Sequence, residues 1–239
     1  MPQTTAQPGI SAFFPAYNDG GTIASMVVAA LIVLRQLTDD YEIIIINDGS
    51  QDYTALIADQ LAQDYPCVRV VHHPENRGYG GALRSGFAAA SKDIIFYTDG
   101  DAQYDVRDLL RLYPLLTPDV DAVQGFKLNR DDPWFRRPLG RAYHAAVRWV
   151  FQLHVRDVDC DFRVLRRRVF EQIELHQNSG EICVELVKKL ERGGCTIVEA
   201  GVTHYPRPYG HSQFFRPRHL ISTLRGLLRL WWDLRRTSP

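Results

Sequence analysis

The chain has only four cysteines in 239 residues, Cys67, Cys160, Cys183 and Cys195, and no two of them form a C-x-x-C pair. Neither a zinc knuckle nor a dithiol redox motif is therefore expected, and a reduced, cytosolic setting is the default. No G-x-G-x-x-G follows the first predicted strand, and no G-x-x-x-x-G-K-[ST] occurs anywhere, so dinucleotide-fingerprint and P-loop chemistry lack support. Long hydrophobic runs are missing too. The longest, Ile23 to Leu34, is too short to cross a bilayer. The first residues lack a basic-then-apolar leader, and the expectation is a soluble or peripheral protein.

A net charge is also lacking, since 28 Lys and Arg balance 28 Asp and Glu, but the balance is not local. Residues 1–126 carry 7 basic and 16 acidic side chains, residues 127–168 carry 11 and 5, and residues 204–239 carry 7 and 1. An acidic nucleus flanked by two basic segments points to an anionic partner: nucleic acid, a phosphorylated substrate or a membrane surface. The nucleic-acid version is disfavoured, because the basic stretches match no recognised module and the nearby acids would repel phosphates. A composition of 45% apolar and 23% charged residues is that of an ordinary globular protein, and the length suits a single α/β domain.

Residues 1–8 read as a loose tail. From there strands alternate with helices: Ile10 to Phe14, then a helix over 22–37; Glu42 to Ile46, then a helix over 53–64; Val68 to His72, then a helix over 82–90. Ser50 or Asp52 can cap the second of these helices. Each strand ends in a polar or glycine-rich loop, which places those loops along one edge of a mostly parallel sheet. Residues 77–81, Arg-Gly-Tyr-Gly-Gly at a helix start, can cradle a phosphate or can simply be a turn. Further on, 106–116 and 139–153 read as helices and 127–138 as an irregular basic loop. Strands are expected over 121–125, at 164–165 and over 196–201, with helices over 180–192 and 217–236.

The fourth strand, Ile94 to Thr98, ends in Asp99-Gly100-Asp101-Ala102-Gln103. Ligands of open parallel sheets bind outside the carboxyl ends of the strands, and two acids delivered there repel unless a cation lies between them or one is protonated. Hard oxygen ligands suit Mg²⁺ or Mn²⁺, and Gln103 can add a carbonyl oxygen or orient a metal-bound water. The plain alternative is a solvated Asp-Gly turn.

Taken in order, the motifs resemble those of the family 2 glycosyltransferases of GT-A fold, in their polyprenyl-phosphate mannosyl- and glucosyltransferase branch. Pro15-Ala16-Tyr17-Asn18 matches P-x-Y-N, Asn47-Asp48-Gly49-Ser50 matches D-D-G-S, and residues 76–86 match N-R-G-x-G-x-A-L-R-x-G. Asp99 to Gln103 matches the metal-binding D-A-D-x-Q; Asp157 to Phe162 resembles D-x-x-C-G-F, and His204 to Ser212 resembles H-x-x-R-x-x-G-x-S. The resemblance implies a GT-A domain over 9–215 that moves mannose or glucose, with inversion, from a GDP- or UDP-sugar to a polyprenyl phosphate. It implies that Pro15, Ala16, Tyr17, Asn18 and Asp48 hold the nucleoside, with Gly78, Arg84, Gly100 and Arg207 on the rest of the donor. Asp99, Asp101 and Gln103 would hold Mg²⁺ or Mn²⁺, and Asp101, Asp157 and Arg137 would form the catalytic set. An acceptor phosphate is already an anion and needs positioning and charge compensation, for which Lys127, Arg130, Arg136, Arg137 and Arg141 are the supply. An alcohol acceptor would instead call on one of Asp157, Asp159 and Asp161 as general base.

Three departures from the family pattern stand out: Asn47 for the usual first acid, Asp161 for the usual glycine, and a chain that stops without transmembrane hairpins. Peripheral attachment at the cytoplasmic face of a membrane is the resulting expectation, with oligomeric state left open. The helix over 216–239 places Leu220, Leu224, Leu227, Leu228, Trp231 and Leu234 on one face, which suits either a membrane interface or the protein's own core. Transfer to a soluble hydroxyl and a non-catalytic anionic-lipid-binding module are the competing functional expectations.

Overall fold

The computed structural model describes residues 7–128, 145–209 and 217–236 of the chain. Its strands are β1 (Ile10–Ala16), β2 (Tyr41–Asn47), β3 (Val68–His72), β4 (Ile94–Thr98), β5 (Ala122–Lys127), β6 (Phe162–Arg166) and β7 (Ile197–Val202). All seven belong to one sheet in the order β3-β2-β1-β4-β6-β5-β7. The β1–β2, β2–β3, β1–β4 and β5–β7 pairs are parallel, whereas β6 runs antiparallel to both β4 and β5. The sheet is thus mostly parallel and flanked by helices, the GT-A arrangement that the motifs imply.

The helices are α1 (Ile23–Leu37), α2 (Thr54–Asp64), α3 (Tyr79–Ala89), α4 (Leu109–Leu112), α5 (described over 145–151), α6 (Ile182–Arg192) and α7 (Pro217–Arg236). β2 shows why an unbroken apolar run is needed. Ile43 and Ile45 enter the core under α1 and α2, Ile44 and Ile46 enter the opposite core under α3 and α6, and all four are fully buried. Burying each contributes about 1.5–3 kcal/mol.

The residues around Pro114 differ from expectation. A single helix over 106–116 is replaced by a 3₁₀ turn at Val106–Asp108, the short α4, and a second 3₁₀ turn at Tyr113–Leu115. Pro114 has no N–H to continue an α ladder. The helix predicted to begin at 82 begins at Tyr79, which takes the glycine cluster into its first turn.

The face of α7 also resolves into two parts. Leu227, Leu230 and Leu234 join Val147, Phe151, Val184 and Val187 in a third core cluster, whereas Leu228 is 62% and Trp232 53% exposed. Leu220 and Leu224 lie outside the described side chains. Among the described residues no helix is long and apolar enough to cross a membrane.

Chain order reverses at the β1/β4 boundary, since β1 pairs with β2 on one side and with β4 on the other. That is the crevice where open α/β sheets bind ligands, and the carboxyl ends of β1 and β4 carry the Pro15 and Asp99 motifs into it.

Candidate active site

The two strand ends are fastened to each other before any side chain is considered. The Gly100 amide donates to the Pro15 carbonyl at 3.1 Å, and the Thr22 hydroxyl donates to the Gly100 carbonyl at 2.8 Å. Beyond it the Gln103 amide donates to Asp101 Oδ1 at 3.0 Å, closing an Asx turn. Ala102 inside that turn has φ 58°, a left-handed conformation that a side-chain-bearing residue adopts only under constraint. The constraint comes from residues 204–207. Tyr104 bridges to His204, the Tyr205 amide donates to the Gln103 carbonyl at 2.7 Å, and the Gln103 side-chain amide donates to the Tyr205 carbonyl at 3.2 Å.

This clasp delivers Arg207 to the acids. Arg207 Nη2 lies 2.8 Å from Asp19 Oδ1 and 3.7 Å from Asp101 Oδ2. Asp101 is 5% exposed, and burial raises its carboxyl to about 6 against the pull of Arg207. Burial also raises Asp19, despite the Tyr17 amide and Arg207. Asp99 is pushed well above the carboxylate range by burial, then by Asp161 and Asp101, while the Tyr79 hydroxyl donates to its Oδ1 at 2.8 Å. Sequence reasoning placed Asp99, Asp101 and Arg207 together but missed Asp19 and Tyr79. The Asn-Asp-Gly-Gly turn after the first motif was the available signal for Asp19.

The second acid cluster forms the opposite wall. Arg163, 1% exposed on β6, donates to Gln124 Oε1, to the Tyr97 hydroxyl, to the Val158 carbonyl and, at 3.3 Å, to Asp161. Gln124 Nε2 in turn donates to the carbonyls of Asp157 and Cys160 at 3.2 and 3.0 Å. The two side chains together hold residues 157–161 in place. Asp157 is buried, with the Lys127 amide 3.5 Å from its Oδ2. Burial and the neighbouring Asp161 raise Asp159 to about 6. Lys127 Nζ donates to the Asp159 carbonyl at 3.1 Å, and Asp157 holds its pKa up against burial. Arg130, Arg136, Arg137 and Arg141 lie outside the described residues.

At the other end of the crevice, Asn18 (φ 58°) donates its amide to Ser50 Oγ and accepts the Gln51 amide at 2.8 Å. Asp52 receives the Gly20 and Thr54 amides just ahead of α2, but the N-cap position is Tyr53 and carries no side-chain bond, so neither Ser50 nor Asp52 occupies the cap. The buried Asp48 carboxylate sits 2.6 Å from His73 Nδ1 and accepts the Arg77 amide at 2.8 Å.

The glycine cluster does not leave its amides open for a phosphate. The Gly80 and Gly81 amides both donate to the Asn178 carbonyl, at 3.0 and 3.4 Å, and a Cβ on Gly80 would collide with the Gln177 carbonyl. Gly78 likewise faces the Asn178 carbonyl, and Arg84 donates to the carbonyl of His176 and the side chain of Asn178. Residues 78–84 thus form a seat for 176–178; in sequence, a glycine needed for close packing and one needed for a ligand look alike.

Asp99 and Asp101 bring to the crevice carboxylate oxygens of the kind that a hard divalent cation takes. Two neighbouring carboxyls whose proton affinities are both raised hold their charged forms at a cost, which a cation between them would relieve. Among the described residues no group of three His, Cys, Asp or Glu side chains is arranged to hold a metal. The remaining positions would fall to water and substrate oxygens, which suits Mg²⁺ or Mn²⁺.

Comparison with known proteins matches residues 11–174 to the family model "Glycosyl transferase family 2". Glycosyltransferase AglD of Haloferax volcanii is 30% identical over 97% of this chain, and the undecaprenyl-phosphate 4-deoxy-4-formamido-L-arabinose transferase of Serratia proteamaculans is 28% identical over 94%. The chain spans only 38% and 66% of the lengths of those two proteins. Among solved structures, glucosyl-3-phosphoglycerate synthase from Mycobacterium tuberculosis in complex with UDP aligns over 94% of this chain and 80% of that one, with TM-score 0.71 and 21% identity. The same synthase with Mn²⁺, UDP-glucose and phosphoglyceric acid also gives TM-score 0.71. With the family model covering most of the strand-and-acid framework described above, the chain belongs to the family 2 glycosyltransferases.

Proposed function

We propose that the protein transfers a hexose, mannose or glucose, with inversion from a GDP- or UDP-sugar to a polyprenyl phosphate. The observation that carries this reading is the meeting of Asp19, Asp101 and Arg207 at the β1/β4 crevice, with Asp99 and Tyr79 beside them. A bound Mg²⁺ or Mn²⁺ would neutralise charge on the departing nucleoside diphosphate. Asp99 and Asp101 would hold it, with Gln103 adding a ligand or orienting a water. Arg207, held beside Asp101 by Asp19, would pair with the same diphosphate. The 15–19 loop, stitched to residues 50–54, and Asp48 form the nucleoside end, and Gly100 fixes the spacing between that loop and the acids. Arg137 and its basic neighbours would compensate the acceptor phosphate, and Asp157 would help to shape the acceptor wall. The relatives named for undecaprenyl phosphate support the lipid acceptor. Such an acceptor sits in a bilayer, so peripheral contact at the cytoplasmic face is part of the reading.

A hydroxyl acceptor is the second reading, favoured by Asp159. A carboxyl raised to about 6 in the acceptor wall has the proton affinity of a general base working near neutrality. Incubating the full chain with radiolabelled GDP-mannose, GDP-glucose or UDP-glucose, with Mn²⁺ and undecaprenyl phosphate, and extracting into organic solvent tests the first reading. Label in the lipid phase supports it. Donor turnover only with water-soluble alcohols supports the second, and no metal-dependent turnover of any donor would sink both.

A further inference from the structure

The inner face of α7 is taken by the core, and its outer face is what remains. At 100° per residue, Leu227, Leu230 and Leu234 point inward, and Arg225, Leu228, Arg229, Trp232, Asp233, Arg235 and Arg236 fall outside that stripe. All seven of these outward residues are exposed. Asp233 shares the exposed side and has a partner of its own, so the face carries four arginines against one acid. Two of the arginines lie over indole rings, Arg235 at 3.9 Å from the Trp231 centroid and Arg236 at 5.0 Å from that of Trp232. The neighbouring α5 shares the same core cluster and exposes Trp149 at 81% and Val150 at 42%.

Orientation ties this face to the crevice. α7 runs alongside α6 in the same direction: Gly226 packs against Glu181 at the start of α6, and the Leu234 carbonyl accepts Arg192 Nη1 at 2.6 Å at its end. Two residues beyond Glu181, Cys183 Sγ donates to Asp161 Oδ1 at 3.1 Å. The Gly226 end of α7 is therefore the crevice end.

We propose that the outer face of α7 docks on an anionic lipid bilayer, with Leu228 and Trp232 at the headgroup level and the four arginines on lipid phosphates. Exposed arginines alternating with exposed indole and leucine match a surface that is anionic outside and apolar just beneath. A nucleic acid would use the charges and leave Leu228 idle. A second copy of this face would set arginine against arginine. Docked this way, the crevice end of the helix lies at the bilayer surface, where a phosphate on a lipid chain is presented.

The test uses the full chain without donor or metal, so its outcome is separate from that of the acceptor assignment. Co-sedimentation is measured with vesicles of phosphatidylcholine alone and of equimolar phosphatidylcholine and phosphatidylglycerol, and gel filtration gives the oligomeric state. Each arginine near an anionic surface adds about fivefold to partitioning, so Arg225→Gln with Arg229→Gln should lower binding at least about tenfold. Leu228→Ser with Trp232→Ser should do the same while leaving the core leucines and the melting temperature unchanged. Binding only to the anionic vesicles, reversed by salt and lost in both double variants, is the expected result. Wild-type chain left in the supernatant, variants that pellet equally, or a dimer that the arginine variants convert to monomer would each overturn it.

Discussion

Replacing Asp101 by Asn should stabilise the metal-free protein and do so only above the acidic range. The carboxyl of Asp101 rises from 3.8 to about 6 on folding, roughly two units, which at about 1.4 kcal/mol each is about 3 kcal/mol of strain in the charged form. The sign follows from the raised value. The protonated group is favoured in the fold, so its contribution is fully present below 3.8 and is lost as pH rises through about 6. Asparagine keeps the acceptor for the Gln103 amide and removes the charge. Arg207 loses its weaker partner at 3.7 Å and keeps Asp19 at 2.8 Å; its pull on Asp101 is already contained in the value of about 6, so the gain stays at about 3 kcal/mol. For a domain of this size that is a rise of about 6–12 °C in Tm. Thermal unfolding in a chelator at about pH 8 should show the gap, and at about pH 4 it should close. Added Mn²⁺ should then stabilise the wild type and leave the variant unmoved, by mass action on the native state. A gap that is absent at the higher pH, or equal at both, would refute the burial argument.

Arg207→Ala should lower donor turnover by about 100-fold or more, because it removes the cation beside the acid pair; steady-state kinetics with nucleotide titration checks it, and an unchanged rate would free Arg207 of any role. Arg163→Met should loosen residues 157–161 and cost about 3 kcal/mol in urea unfolding, since Tyr97, Gln124 and Asp161 lose a buried partner together. Gly80→Ala should destabilise by about 1–3 kcal/mol through its clash with Gln177, and with little change in nucleotide affinity if that cluster is a packing seat. Arg136→Ala with Arg137→Ala should weaken use of the acceptor phosphate more than nucleotide binding, with equal losses assigning those residues to the donor.

What the sequence made legible was local. The isoleucine run of β2 announces a strand buried on both faces, and the abrupt stop of β4 in Asp-Gly-Asp announces an edge with chemistry, because both depend on neighbours a few residues apart. Asp19 and Arg207 are 188 positions apart, and contacts between distant segments such as the Gln103–Tyr205 clasp bring them together. Arg163 stands among apolar neighbours like any strand-surface charge, and nothing local says that Tyr97 and Gln124 wait for it in the core. The α7 pattern fits two surfaces equally well, and the choice between them was made by α5 and α6, which the helix's own sequence does not encode.

The antiparallel β6 also governs how the chain can be assembled. The four strands β3-β2-β1-β4 come from residues 10–98 and close on themselves by short crossovers, but β5 and β7 can join them only through β6. During synthesis the bare edge of β4, Ile94 to Thr98, therefore stays unpaired until Arg166 has emerged, with β5 already made and unable to add. An apolar edge held open over that interval is a template for pairing with another chain. Ribosome pausing or a truncation between residues 127 and 161 should thus yield aggregation-prone intermediates, and Val164→Pro in the full chain should give two separately ordered sheet fragments in place of one cooperative unit.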